Sequence, residues 1–274
     1  MKAKLVAGLV AIALGGFTSC GNILEENGVI NNVAQNGTGE LRINLVADGS
    51  LDVMTKATES ITTSVSETDF TIYGTKNGTE NSLGQYASAM KVAAGTYTQL
   101  RAVCDKMGSE PFAFDAPHFE GTTSGNTIVQ TGTPATASID AKLKNSVITV
   151  DLGNLSSLAT ITKLQLQLDN NENPSKILDL LENSSTLTTK QIFVKANQNN
   201  VYIHIEGKLK SEENKTFKYT QHIGDTADAA TTAQKKYAVT YNLSSDNGTL
   251  GLTITINKNV EKVEIKVPDI DPYK

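Results

Sequence analysis

Tyr237-Ala238-Val239-Thr240-Tyr241-Asn242-Leu243 runs into Ser244-Ser245-Asp246-Asn247-Gly248, and Thr249-Leu250-Gly251-Leu252-Thr253-Ile254-Thr255-Ile256 follows. On both sides of the polar middle, every second residue is apolar. A strand turns successive side chains to opposite faces, so this period-two pattern describes a ribbon buried on one face. Two such runs joined through a Gly-bearing polar loop predict a β-hairpin.

The same texture extends outward from this stretch. Downstream, Val263, Ile265 and Val267 close the series. Upstream lie Val201, Ile203 and Ile205, then Phe217, Tyr219 and Gln221. Leu164, Leu166 and Leu168 alternate with Gln165 and Gln167; Ile148, Val150 and Leu152 alternate before them. The first half repeats the pattern at Leu41, Ile43 and Leu45, at Phe70 and Ile72, at Leu100, Ala102 and Cys104, and from Ala137 to Leu143. Helical signal is thin: Ser175–Glu182 after Pro174 reads as two turns, and Asp225–Lys236 as another short helix. Many short strands with turn residues between them predict an all-β chain of antiparallel, Ig-like β-sandwiches. The expected boundary falls near Asn145, giving one domain over 39–145 and a second over 146–274.

The N-terminus has a different texture. Lys2 and Lys4 precede the apolar run Leu5–Leu14, which falls short of the roughly 20 residues a spanning helix needs. It reads as a signal peptide over 1–19, ending in Gly15, Gly16, Phe17, Thr18 and Ser19 before Cys20. This ending resembles the lipobox of bacterial lipoproteins, which implies cleavage before Cys20 and lipid on its thiol; the alternative is an ordinary signal peptide with an incidental cysteine. Each buried methylene adds about 0.8 kcal/mol of membrane affinity, so several acyl chains hold firmly. Gly21 gives no reason for inner-membrane retention. Glu25 and Glu26 resemble a surface-export signal of Bacteroidetes lipoproteins, which implies the outer membrane, facing the exterior. Residues 20–38, rich in Asn, Glu, Gln and Gly, read as a tether from lipid to folded body.

Composition excludes several classes. A net charge of −5 argues against nucleic acid, which needs a basic footprint. Aromatics make up 5% of residues and Trp is absent, which weakens a sugar-stacking platform. The two cysteines are Cys20 and Cys104; with lipid on the first, the second reads as a small buried hydrophobe in a strand. Lys106, two residues on, could share its face and lower the thiol pKa, but no His is close in sequence and a reactive thiol is not the expectation. His118, His204 and His222 are far apart, with no second His or Cys at ligand spacing, so no zinc or haem motif forms. His204 between Ile203 and Ile205 reads as solvent-facing. Asp225 with Asp228 and Asp269 with Asp271 could in principle bind Ca²⁺, but Asp-Ile-Asp-Pro supplies too few oxygens and reads as a solvated tail; the run Asp169-Asn170-Asn171-Glu172-Asn173 is richer in oxygens but reads first as a polar turn before Pro174. No catalytic residue, cofactor or metal is expected, and the chain reads as a non-enzyme. Asp225-Thr226-Ala227 matches the O-glycosylation motif of Bacteroidetes, which would decorate Thr226.

Six segments, taken in order, resemble a known family. They are Gly39-Glu40-Leu41-Arg42-Ile43, Asp69-Phe70-Thr71-Ile72-Tyr73, Ala94-Gly95-Thr96-Tyr97, the stretch Phe114–Gly121, Leu143-Lys144-Asn145-Ser146-Val147 and Lys236–Ile256. Together they resemble an uncharacterised, fimbrillin-like surface lipoprotein family of Bacteroidetes related to fimbrial subunits. The resemblance implies two transthyretin-like β-sandwich domains in tandem and no catalytic residues. In related pilins a protease cuts after an Arg near the mature N-terminus and frees a groove that a neighbour's strand fills. Arg42 is the nearest such residue, although it lies inside the first alternating run. The bland readings are structural: Gly95 serves a turn into a strand, and Phe114–Gly121 a packed loop at a sandwich end.

The leading expectation is therefore a structural or adhesive lipoprotein of the cell surface, a fimbrial anchor or accessory subunit acting by strand addition. Its partners would be the membrane through Cys20 and other fimbrial subunits. The second expectation is a non-catalytic module that binds a glycan, peptide or host-surface ligand.

Overall fold

The computed structural model describes residues 37–52, 59–183, 186–211, 215–224, 229–246, 249–256 and 259–264. Cys20, Thr226, Asp225 with Asp228, Asp269 with Asp271, the leader, most of the tether and the chain beyond 264 lie outside them.

Almost every described element is a strand. The Thr38–Asp48 strand shows why: Leu41, Ile43 and Leu45 are buried, while Arg42 and Asn44 between them are exposed. Alternation of this kind makes one face a core and leaves the other for water. Seven strands form the first large sheet, in the spatial order Thr79–Gln85, Thr71–Lys76, Gln99–Asp105, His118–Thr122, Ala135–Leu143, Thr38–Asp48 and Ala89–Ala93. A six-stranded sheet runs Asn259–Glu264, Thr249–Ile256, Lys236–Asp246, Asn145–Asp151, Ile192–Lys195 and Phe112–Phe114. A four-stranded sheet runs Lys176–Asp179, Ala159–Leu168, Val201–Leu209 and Thr216–His222. The predicted hairpin is present, with Val239 opposite Ile256 and Asp246 opposite Thr249.

Buried apolar residues fall into two clusters. One gathers Leu41, Ile43, Phe70, Ile72, Leu100, Phe119 and Ile139 from the first half; the other gathers Leu164, Leu166, Ile203, Ile205, Tyr237 and Tyr241 from the second. Between them lies part of the six-stranded sheet, whose side chains alternate between the clusters. Val147 and Phe193, opposite each other in register, enter the first cluster, whereas Ile148, Ile192 and Val194 enter the second. The Phe112–Phe114 strand obeys the same rule, sending Phe112 one way and Ala113 the other. A three-residue strand from the first half thus completes the edge of a sheet built mainly by the second.

The structure corrects two expectations. Pairing is not purely antiparallel: Thr38–Asp48 runs parallel to Ala135–Leu143, and Asn145–Asp151 runs parallel to Lys236–Asp246. Ser175–Glu182 is extended, not helical. Lys176–Asp179 pairs with Ala159–Leu168, placing Asp179 opposite Gln165, and Leu181–Glu182 pairs with Thr186–Leu187. Ladder bonds and burial of Leu180 outweigh a weak local helix preference. Among the described residues the α-helix is the single turn Leu155–Leu158, joined by a 3₁₀ turn at Glu67–Asp69. The expected packed loop Phe114–Gly121 is met only over Asp115–Pro117, which joins the strand Phe112–Phe114 to the strand His118–Thr122 of the large sheet. Gly95 takes φ +143° as the first residue of the short strand Gly95–Tyr97, where the chain enters it.

Candidate functional site

Arg42 sits within a paired strand. Ala89 lies opposite it on one side and Thr136 on the other, and its guanidinium Nε donates to Glu40 Oε1 at 2.6 Å. The bond after Arg42 is therefore held in the sheet by ladders on both sides. Cys104 is buried and free. Burial, helped by Asp69, pushes its thiol up to about 11 and outweighs the opposing pull of Lys106. This agrees with the reading of Cys104 as a small buried hydrophobe instead of a reactive thiol.

The three histidines remain separate. His118 has Nδ1 3.8 Å from Asp105 and Nε2 4.0 Å from Glu120, while its backbone N–H donates to the Asn145 side chain. His222 donates from Nε2 to Asn199 O at 2.9 Å and meets the Tyr202 ring edge-on at 5.2 Å. His204 differs from its expected exposure: it is 6% exposed, although it faces outward between two core isoleucines. Among the described residues no three His, Cys, Asp or Glu side chains gather at metal-holding distance.

The burial of His204 comes from a polar cleft on the outer face of the four-stranded sheet. Register lays three strands side by side, so Lys163, Glu206 and Lys218 form one row, and Gln165, His204 and Thr220 the next. Their neighbours in sequence, Leu164, Leu166, Ile203 and Ile205, point inward to the core. Glu206 Oε1 lies 2.7 Å from His204 Nε2, 3.2 Å from Lys163 Nζ and 3.7 Å from Lys218 Nζ. The hydrogen bond from His204, and then Lys163, hold the Glu206 carboxyl below its ordinary range. A carboxylate there accepts, so Nε2 carries the proton of that bond, and Nδ1 is hydrogen-bonded with the Thr220 hydroxyl, 2.8 Å away. The turn Asp169–Asn173 forms the wall. Asp169, at φ +72°, receives Ser175 Oγ at 2.7 Å and Asn200 Nδ2 at 2.5 Å, and its N–H donates to Asn200 O. These bonds occupy the oxygens of Asp169, which draw its carboxyl below the usual range and serve the turn. The cleft between turn and sheet has a volume of about 270 Å³.

A second cleft of about 270 Å³ opens where a ladder stops. Asn145–Asp151 pairs with Ile192–Lys195 only as far as Ile148 opposite Ile192. Val147 N–H points to the other side, donating to Lys235 O, so alternation turns the N–H and C=O of Val150 toward the open side. Lys190, which would continue the ladder there, has its N–H bonded to Thr188 Oγ1 instead. The chain turns away at Gln191, whose side-chain oxygen accepts from the Thr62 N–H and whose backbone exchanges hydrogen bonds with Asp115. Leu51, Leu187 and Ile192 give the cleft an apolar lining. Sequence alternation marked Val150 as strand but carried no sign that its partner ends early.

The sequence profile of the domain of unknown function DUF4493 matches residues 37–269. Among proteins with curated descriptions none matches. Solved structures with a similar course of chain include a fimbrial assembly protein of Parabacteroides distasonis ATCC 8503, at 7% identity and TM-score 0.43, covering 83% of this chain and 98% of that one. A candidate cell adhesion protein of Bacteroides eggerthii DSM 20697 follows at 8% identity and TM-score 0.42, covering 85% and 98%. The tip fimbrial protein Mfa3 of Porphyromonas gingivalis, with C-terminal truncation, follows at 10% identity and TM-score 0.41, covering 83% and 99%. The expected membership of an uncharacterised family is met in the match to this domain of unknown function.

Proposed function

Because the chain belongs to the family of the domain of unknown function DUF4493, no activity carries over to it, and from its own geometry we propose a structural or adhesive surface lipoprotein that takes up a partner by strand addition. The observation that carries this reading is the interrupted ladder at Val150. An N–H and a C=O aimed into an apolar-lined cleft match what an extended peptide offers: main-chain hydrogen bonds for affinity, and alternate side chains for specificity. Sheet edges of this kind invite pairing with other chains.

In this reading Cys20 carries the lipid, residues 20–38 tether the body to the outer membrane, and the body faces the exterior as an anchor or accessory subunit of a fimbria. The two buried clusters support tandem transthyretin-like sandwiches over 39–145 and 146–274. Processing after Arg42 would take Thr38–Arg42 from the strand next to the edge of the seven-stranded sheet and open a groove between Ala89–Ala93 and Ala135–Leu143. Thr226 would carry an O-glycan, and a mass spectrum of the mature protein reads it directly.

Surface crosslinking and pull-down in the native bacterium test the proposal. Pilus subunits should be captured by the wild type and lost in Val150→Pro, which removes the N–H at the edge, while Val150→Ile retains them. Circular dichroism establishes that both variants fold. Equal capture by wild type and a folded Val150→Pro would refute strand addition at this edge, and capture of no pilus subunit would refute the fimbrial role. Deleting the residues after Val267 tests a donor role for the tail through the same surface assembly.

A further inference from the structure

The polar cleft over the four-stranded sheet does not have the form of an ordinary solvated face. On such a face charged and amide side chains extend into water. Here His204 and Gln167 are 6% and 4% exposed, His204 is bonded on both sides, and Gln167 donates to Asp169 O at the base of the wall. Holding polar side chains in one arrangement costs conformational entropy. A floor fixed in this way is organised in advance for hydrogen bonding with a ligand.

The chemistry of the lining narrows the ligand class. Lys163 and Lys218 are balanced by Glu206 and Glu172, and Glu206 lies on the floor between the two lysines. An anionic ligand would meet that carboxylate with both nearby cations already turned toward it. Gln165 and Gln167 each commit one amide hydrogen, to Asp179 Oδ1 and Asp169 O, and keep a second N–H and the amide oxygen; with the side-chain amides of Asn170 and Asn171 they complement a hydroxyl that both gives and takes a hydrogen bond. Ile177, 42% exposed, and Pro174 supply an apolar edge suited to the C–H face of a sugar ring. An extended peptide would need an unpaired strand edge or alternating apolar pockets; Ala159–Leu168 and Val201–Leu209 are inner strands of this sheet, and the edge strand Thr216–His222 brings the polar Lys218 and Thr220 to the cleft, not apolar pockets. At about 270 Å³ the space lies just below the usual range for drug-sized ligands, which begins near 300 Å³.

We propose that this cleft binds a neutral sugar residue of a glycan chain. The site is separate from the edge at Val150, so the two readings stand or fall independently. No Phe, Tyr or Trp ring lines the cleft, so single-site binding is weak, with a dissociation constant on the order of 1 mM. Display of many copies on one surface raises the effective affinity without any new contact.

The test titrates the full mature protein with neutral gluco-, manno-, xylo- and galacto-oligosaccharides, and with oligogalacturonate and sialylated oligosaccharides as anionic comparators. Saturation-transfer NMR and calorimetry read the binding. Saturable binding of a neutral oligosaccharide is expected, weakened about two- to tenfold by Gln165→Ala or by Asn171→Ala, one hydrogen bond's worth each. The double variant loses binding while keeping its melting temperature, and Val150→Pro leaves binding unchanged. A preference for the anionic oligosaccharides, no saturable binding to any of them, binding that survives the double variant, or a peptide occupying this face would each overturn the proposal.

Discussion

Phe193 offers the sharpest test of how the two buried clusters are joined. It is fully buried, lies opposite Val147, and points into the first-half cluster from a strand whose neighbours Ile192 and Val194 point into the second. Truncating a buried Phe to Ala removes its transfer free energy and leaves a cavity, about 3–5 kcal/mol in all. Phe193→Leu keeps most of the volume and should cost under about 1.5 kcal/mol. Whole-domain stabilities are about 5–15 kcal/mol, so Phe193→Ala should shift a urea transition well beyond error. The distinctive outcome is where the damage falls. Hydrogen exchange by mass spectrometry should show faster exchange in peptides from 38–143 than in those from 159–222, although the mutation lies in the second half. Ile192→Ala, one residue away, should reverse the order at a cost of about 2–5 kcal/mol. A Phe193→Ala loss under about 1 kcal/mol, or excess exchange confined to 159–222, would refute the shared-layer reasoning.

Cys104 should resist thiol reagents in the native protein at pH 8 and react on unfolding, since burial raises its thiol to about 11. The folded form holds that proton more tightly than the unfolded chain, so this contribution is complete below about pH 8.5 and is lost as pH rises toward about 11; Cys104→Ala should flatten that alkaline slope in a urea titration against pH. Glu206 has the opposite sign. Its carboxyl is held low by His204 and Lys163, so stability falls as pH drops below the ordinary glutamate value near about 4.3, and Glu206→Gln should lessen the acid loss seen by thermal melts. Gly121→Ala should destabilise by about 1–3 kcal/mol, because a Cβ there would strike Asp140 O and lie 2.7 Å from Ala141 Cα in the adjacent strand; unchanged urea midpoints would refute that close approach.

Strand content was legible because burial has period two. Leu41, Ile43, Leu45, Leu164, Leu166, Ile203 and Ile205 all face the cores that their alternation implied. Parallel pairing was not legible, since Leu41 and Ala135 are joined by a register that local pattern does not encode. Ser175–Glu182 misleads for a related reason: Ile177, Leu178, Leu180 and Leu181 suit one side of a helix, yet the available partner was the Ala159–Leu168 edge. His204 was correctly placed on the outer face by its position between isoleucines, but its burial depends on Thr220, Glu206 and the Asp169 turn, brought together by register. The clefts are properties of pairing, and pairing is where single-strand reasoning stops.

The two parallel pairs also determine how the molecule bears a pull. In a parallel pair, tension applied to the start of one strand and the end of the other slides the strands lengthwise past each other. Every rung from Leu41 opposite Ala135 to Asp48 opposite Lys142 then takes load together, instead of opening one at a time as in a hairpin peeled from its end. Force entering at residue 37 and leaving beyond Leu143 meets this arrangement at once, and force passing from Asn145 toward Asp246 meets it again at Val147–Asp151. The chain thus places two shear clamps in series along its length, and single-molecule stretching should give high, brittle rupture peaks in place of a low plateau.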